Sequence, residues 1–86
     1  MRIASSGTSE FWQLYHNLPA HVKTVARKNY RLWSANALHP SLHFKRIARP
    51  NWSVRVGDHH RAVGRFSGDR FLWEWIGTHE QYNDRF

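Results

Sequence analysis

Arg55, Arg61 and Arg65 stand on strand-forming sequence, and His79 and Tyr82 follow the last apolar run of the chain. Together these side chains could cleave RNA. Attack of a 2′-hydroxyl on the adjacent phosphorus needs a base for the 2′ proton, an acid for the leaving 5′ oxygen and a cation for the pentacoordinate dianion. Histidine titrates near neutrality and can carry either proton. Arginine is permanently charged and grips phosphate oxygens bidentately, and tyrosine can stack on a splayed base or offer its hydroxyl. Singly, each residue has a plainer role open to it. An arginine on a strand face is most often solvated, a histidine after Gly77-Thr78 can serve a cap or turn, and Tyr82 can fold its ring onto the core. The combination carries the weight.

These groups need a sheet to hold them. Trp52-Ser-Val54-Arg-Val56 alternates apolar and polar residues at a period of two, as a half-buried strand does. Strands are expected at about Leu42 to Ala48, Trp52 to Gly57, Arg61 to Phe66 and Arg70 to Gly77. Their connections, Pro50-Asn51, Asp58-His59-His60 and Ser67-Gly68-Asp69, are short and turn-forming, so neighbours should pair antiparallel. Upstream, Phe11, Leu14, Tyr15 and Leu18 recur at helical spacing behind an N-cap at Ser9 or Thr8. Leu18-Pro19 ends that helix. A second runs from about Pro19 to Asn36, burying Val22, Val25, Ala26, Tyr30 and Trp33 and leaving Lys23, Arg27, Lys28 and Arg31 solvated. The expected architecture is α+β: an N-terminal antiparallel helical hairpin packed on a twisted four-stranded antiparallel sheet, with a short C-terminal turn from His79. Residues 1–8 read as a flexible lead-in and residues 9–86 as one domain.

At 86 residues the chain has room for one core. Five Trp, five Phe and three Tyr supply it, and Trp52, Trp73 and Trp75 are assigned to packing rather than base stacking. Thirteen Lys/Arg against six Asp/Glu give +7 at pH 7, which favours nucleic acid or an acidic protein as partner. The absence of Cys excludes disulfides, thiolate metal sites and cysteine nucleophiles. No signal-like h-region and no long apolar run is visible, so a soluble, cytoplasmic domain without membrane contact is expected. P-loop, GxGxxG, C-x-x-C and GxSxG motifs are absent. The seven His do not suggest a metal site: His59 and His60 are adjacent and would point to opposite faces, and Pro40 breaks any helix aligning His39 with His43. No metal and no cofactor is expected.

Several stretches in order resemble the RelE/ParE superfamily of type II toxin–antitoxin toxins. They are Phe11-Trp12…Tyr15…Leu18-Pro19, Val22…Ala26…Lys28…Tyr30-Arg-Leu-Trp33, His39-Pro40-Ser41-Leu42-His43-Phe44-Lys45, Trp52-Ser-Val-Arg55-Val56, His60-Arg61-Ala-Val-Gly64 and Trp73-Glu-Trp75-Ile-Gly77-Thr-His79-Glu-Gln-Tyr82. The resemblance implies a metal-independent mRNA endonuclease, associated with the ribosome and inhibited by an antitoxin that wraps it with an acidic segment. Carried over by position, Arg61 becomes a phosphate and transition-state ligand, and Arg55 an RNA contact or proton carrier. His79 becomes the general acid and Tyr82 the aromatic that orients a base. Lys45 and Arg46 form a basic stretch for gripping phosphate, which Arg65 extends. The general base is left open: Arg55 stays protonated, and His60 is an alternative. Glu74 would oppose a phosphate-binding field if it shared the site's face. One branch of the superfamily poisons DNA gyrase without cutting RNA, so a gyrase-inhibiting toxin and a non-toxic basic protein-binding domain are the competing expectations.

Overall fold

The dense apolar sequence near the C-terminus forms the middle of a sheet, and everything else is arranged around it. The computed structural model describes residues 3–86. In chain order these form β1 (Ala4–Gly7), α1 (Ser9–His16), α2 (Ala20–Ala35), a 3₁₀ turn (Pro40–Leu42), β2 (Lys45–Arg46), β3 (Asn51–Val56), β4 (His60–Ser67), β5 (Arg70–Thr78) and α3 (His79–Arg85). The strands make one five-stranded sheet in the order β1-β5-β4-β3-β2. The hairpins β3–β4 and β4–β5 and the β2–β3 pair are antiparallel, whereas β1 runs parallel to β5.

Period-two alternation gives the sheet two different faces. Val54 and Val56 of β3, Ala62 of β4 and Phe71, Trp73 and Ile76 of β5 join Trp33 of α2 and Phe11 of α1 in the main core. Trp33, Phe71 and Leu42 are fully buried. The Trp33 ring lies 5.0 Å from that of Trp73 and 5.2 Å from that of Phe71, in the tilted and edge-to-face arrangements that aromatic quadrupoles favour. Each large apolar side chain buried here contributes about 1.5–3 kcal/mol relative to exposure. The opposite face carries Ser53, which is fully buried, and Trp75. It is covered by α3: the Tyr82 hydroxyl hydrogen-bonds Ser53 Oγ at 3.3 Å, and the Phe86 ring sits 5.3 Å from that of Trp75.

Five expectations need correction. The sheet has five strands and is mixed, because the lead-in contributes β1 at Ala4–Gly7, paired in parallel with Arg70–Trp73. Its small, polar residues carry no alternation from which a strand could be read. The expected strand over Leu42 to Ala48 shrinks to Lys45–Arg46. Pro40 opens a 3₁₀ turn capped by His39 Nδ1, which accepts from Ser41 N at 3.2 Å, and His43 leaves that turn in the left-handed region at φ 47°. The C-terminal turn is a helix, α3. The helical pair also differs from a closed hairpin: α1 packs on β5 and α2 against β3, leaving an apolar groove of about 330 Å³ between them and the sheet. Tyr30, expected in the buried stripe, borders that groove and is exposed. The N-cap of α1 is Thr8, whose Oγ1 accepts from Phe11 N at 3.1 Å.

Candidate active site

Arg55, Arg61 and Gly77 are direct cross-strand partners on β3, β4 and β5 and form one row across the sheet. Like charges placed opposite each other repel, and the two guanidinium groups are drawn apart. Arg55 donates from Nε to Gly57 O at 3.0 Å and from Nη2 to Asp58 Oδ1 at 2.9 Å, holding it against the β3–β4 turn. Arg61 leans toward α3. Its Nε donates to His79 Nδ1 over a long 3.4 Å, and its guanidinium carbon lies 5.2 Å from the centre of the Tyr82 ring. The space between them is a cleft of about 200 Å³ bordered by His43, Arg55, Asp58, His60, Arg61 and His79.

The start of α3 fixes the far rim. Thr78 caps it: Thr78 Oγ1 accepts from Gln81 N at 3.1 Å, and Gln81 Oε1 accepts from Thr78 N at 2.9 Å, a reciprocal capping box. His79 N donates to His59 O at 2.8 Å, tying the helix to the β3–β4 turn. His79 and Tyr82, three residues apart, share one helical face, with their rings stacked 6.2 Å apart. Gly77 allows this approach, since a β carbon there would lie 2.6 Å from both Gln81 Oε1 and the Trp75 ring.

Arg61 Nη1 is buried and has no hydrogen-bond partner. An unpaired buried donor costs about 1–3 kcal/mol, and more when charged. Asp58, the cleft's carboxylate, is committed to Arg55. His60 borders the cleft, but it alternates with Arg61 and falls on the Ala62 side of the sheet. Partial burial, followed by the charges of His59 and His21, holds its imidazole below the ordinary histidine value of 6.5.

The residues singled out in the sequence thus separate into groups. Arg55, Arg61 and His79 border one cleft, with Tyr82 stacked behind His79 and under Arg61. Lys45 pairs with Ser53 and so shares their face, whereas Arg46 pairs with Trp52 and points to the other. Arg65 is held by Glu74 at 3.5 Å and does not border the cleft. A bulge lies behind that pairing: Val63 opposes Trp75 and Gly64 opposes Trp73, so Glu74 has no cross-strand partner in the ladder. Sequence reasoning read Asp58 only as a turn residue and did not assign His43 to the cleft that it borders. Continuing the Lys45–Ser53 register back by two residues brings it level with Arg55, so the β2–β3 register was the signal. Among the described residues no group of three or more His, Asp or Glu side chains is placed to hold a metal ion, and no described helix is long and apolar enough to cross a membrane.

No curated protein matches the chain in sequence. Solved structures do match in fold. The RelE toxin in a RelB–RelE antitoxin–toxin complex from Methanococcus jannaschii superposes with a TM-score of 0.73 at 18% identity, over 93% of this chain and 96% of that one. A YoeB/ParE toxin from Agrobacterium tumefaciens gives 0.70 at 19% identity, over 88% of this chain and 98% of its own. A copper-bound mutant toxin from Helicobacter pylori gives 0.66 at 11% identity, over 92% and 97%. At these identities the likeness is one of fold. The ParE-like toxin domain family matches residues 20–84 directly, well over half of the chain. The chain therefore belongs to the ParE-like toxin domain family, within the RelE/ParE superfamily of toxin–antitoxin toxins.

Proposed function

We propose that this toxin is an endoribonuclease that cuts mRNA by 2′-hydroxyl attack, leaving a 2′,3′-cyclic phosphate and a 5′-hydroxyl. The observation that carries the reading is the convergence of Arg61 and His79 beside Arg55 at one cleft, with the Tyr82 ring against both Arg61 and His79. A phosphodiester in the cleft would take the free donors of Arg61 bidentately and meet Arg55 on its other side. Drawing Arg61 onto the phosphate frees His79 Nδ1, so the imidazole can carry a second proton and pass one to the leaving 5′ oxygen. Tyr82 keeps the imidazole and guanidinium in register by stacking on one and lying under the other. Two arginines and a committed carboxylate make a poor seat for a divalent cation, so the chemistry is assigned to side chains without metal.

Lys45, on the same face, extends the positive surface along the RNA strand toward β2. The mRNA is expected on the ribosome. An antitoxin with an acidic segment is the expected protein partner, supported by the +7 charge and by the complex in which the M. jannaschii relative was solved. Expression in cells tests the reading. The wild-type chain should arrest growth with cut mRNA, and Arg61→Ala and His79→Ala should each relieve both while remaining folded. The ParE-like family match supports a second reading, a gyrase poison; arrest with intact mRNA and DNA damage, unaffected by those substitutions, would establish it instead.

A further inference from the structure

We infer that His43 is a further catalytic residue, the base that takes the proton from the attacking 2′-hydroxyl. The inference rests on the nuclease reading above, which has an acid and two cations but no base. The groups bordering the cleft narrow the choice. Arg55 and Arg61 stay protonated. Asp58 is held by Arg55 Nη2 at 2.9 Å. His60 falls on the Ala62 side of the sheet, near His21 and His59. His79 receives the Arg61 Nε–H on Nδ1 and belongs to the leaving-group side. His43 remains, exposed at the cleft's edge.

Its place in the fold suits the task. The sheet order β5-β4-β3-β2 puts four groups in sequence across the surface: His79 after β5, Arg61 on β4, Arg55 on β3 and His43 before β2. Displacement at phosphorus is in line, with the entering and leaving oxygens on opposite sides. Base and acid are therefore needed on opposite rims, with the cations between them. In the step, His43 takes the 2′ proton as the 2′ oxygen bonds phosphorus. The P–O5′ bond breaks, its electron pair goes to O5′, and O5′ takes a proton from His79. Solvent then restores both imidazoles. The charged and titratable groups that border the cleft with His43 are Arg55 of β3, Asp58 of the β3–β4 turn, His60 and Arg61 of β4, and His79 of α3, and Lys45 follows it two residues on in β2.

The backbone at His43 guides the test. Its φ of 47° lies in the left-handed region, where Asn and Asp are among the best tolerated non-glycine residues. His43→Asn thus removes the base with the turn kept, and His43→Asp offers a carboxylate instead. Single-turnover cleavage of an mRNA bound to ribosomes is followed from pH 5.5 to 8.5, with His16→Gln as a distant control and thermal melting to check the fold. The expected result is a bell-shaped profile for wild type and control. His43→Asn should fall by about 10²- to 10⁴-fold and lose the acid limb, and His43→Asp should recover part of the rate with that limb moved to lower pH. A His43→Asn protein that cuts at the wild-type rate with an unchanged acid limb overturns the assignment while leaving the nuclease reading intact. Failure of the wild-type protein to cut overturns both.

Discussion

The two faces of the sheet are built on opposite principles. The face under α1 and α2 is filled by Trp33, Phe71, Trp73 and Val54, and its stability is a matter of volume and apolar area. The face under α3 is only half covered. Next to Ser53 and Trp75 lies a row in which two arginines are cross-strand partners and one guanidinium nitrogen is buried without a partner. A chain selected for stability alone would have no use for that row, since cross-strand repulsion and an unsatisfied cation both oppose folding. The contrast supports the site proposed above, since breaches of the rules of stable packing are expected where function requires them.

Substitutions should separate the faces cleanly. Trp33→Ala empties the centre of the core and should cost about 3–5 kcal/mol, a large part of the roughly 5–15 kcal/mol that holds a domain together; thermal or urea unfolding would show it, and activity would fall only because the fold does. Arg61→Ala should do the reverse, abolishing cleavage with little loss of melting temperature. Should Arg61→Ala melt as early as Trp33→Ala, the division of labour between the faces would be wrong. Gly77→Ala sits at the boundary. Its β carbon would press on Gln81 and Trp75, so it should cost about 1–3 kcal/mol and, by shifting His79, lower cleavage by roughly tenfold or more. The smallest expected effect belongs to His60. Because the folded state disfavours its protonated form, the unfolded chain takes up the proton at higher pH. Stability is then fully present above the unfolded value of about 6.5 and is lost as pH falls through it toward the lower folded value. Melting temperatures from pH 7.5 to 5 should decline less steeply for His60→Gln than for the parent.

What could be read from the sequence follows the same division. β3, β4 and β5 and helix α2 were visible because burial imposes a period on them, and Arg55, Arg61, His79 and Tyr82 could be placed once those strands were. β1 was not visible: Ala4-Ser-Ser-Gly7 has no apolar alternation, and its parallel partner lies more than sixty residues away. α3 buries no residue, so no stripe announced it; the signal was Thr78 followed three positions later by Gln81. His43 was hidden by a register, since nothing local says that a residue between a 3₁₀ turn and a two-residue strand stands level with Arg55.

The account turns on a phosphodiester occupying the cleft between Arg55 and Arg61, and the ends of the cut RNA report on it most directly. Wild-type protein on ribosome-bound mRNA should leave 2′,3′-cyclic phosphate and 5′-hydroxyl termini, and Arg61→Ala should leave the message whole. Growth arrest with uncut mRNA, or fragments ending in 3′-hydroxyl and 5′-phosphate, would contradict it.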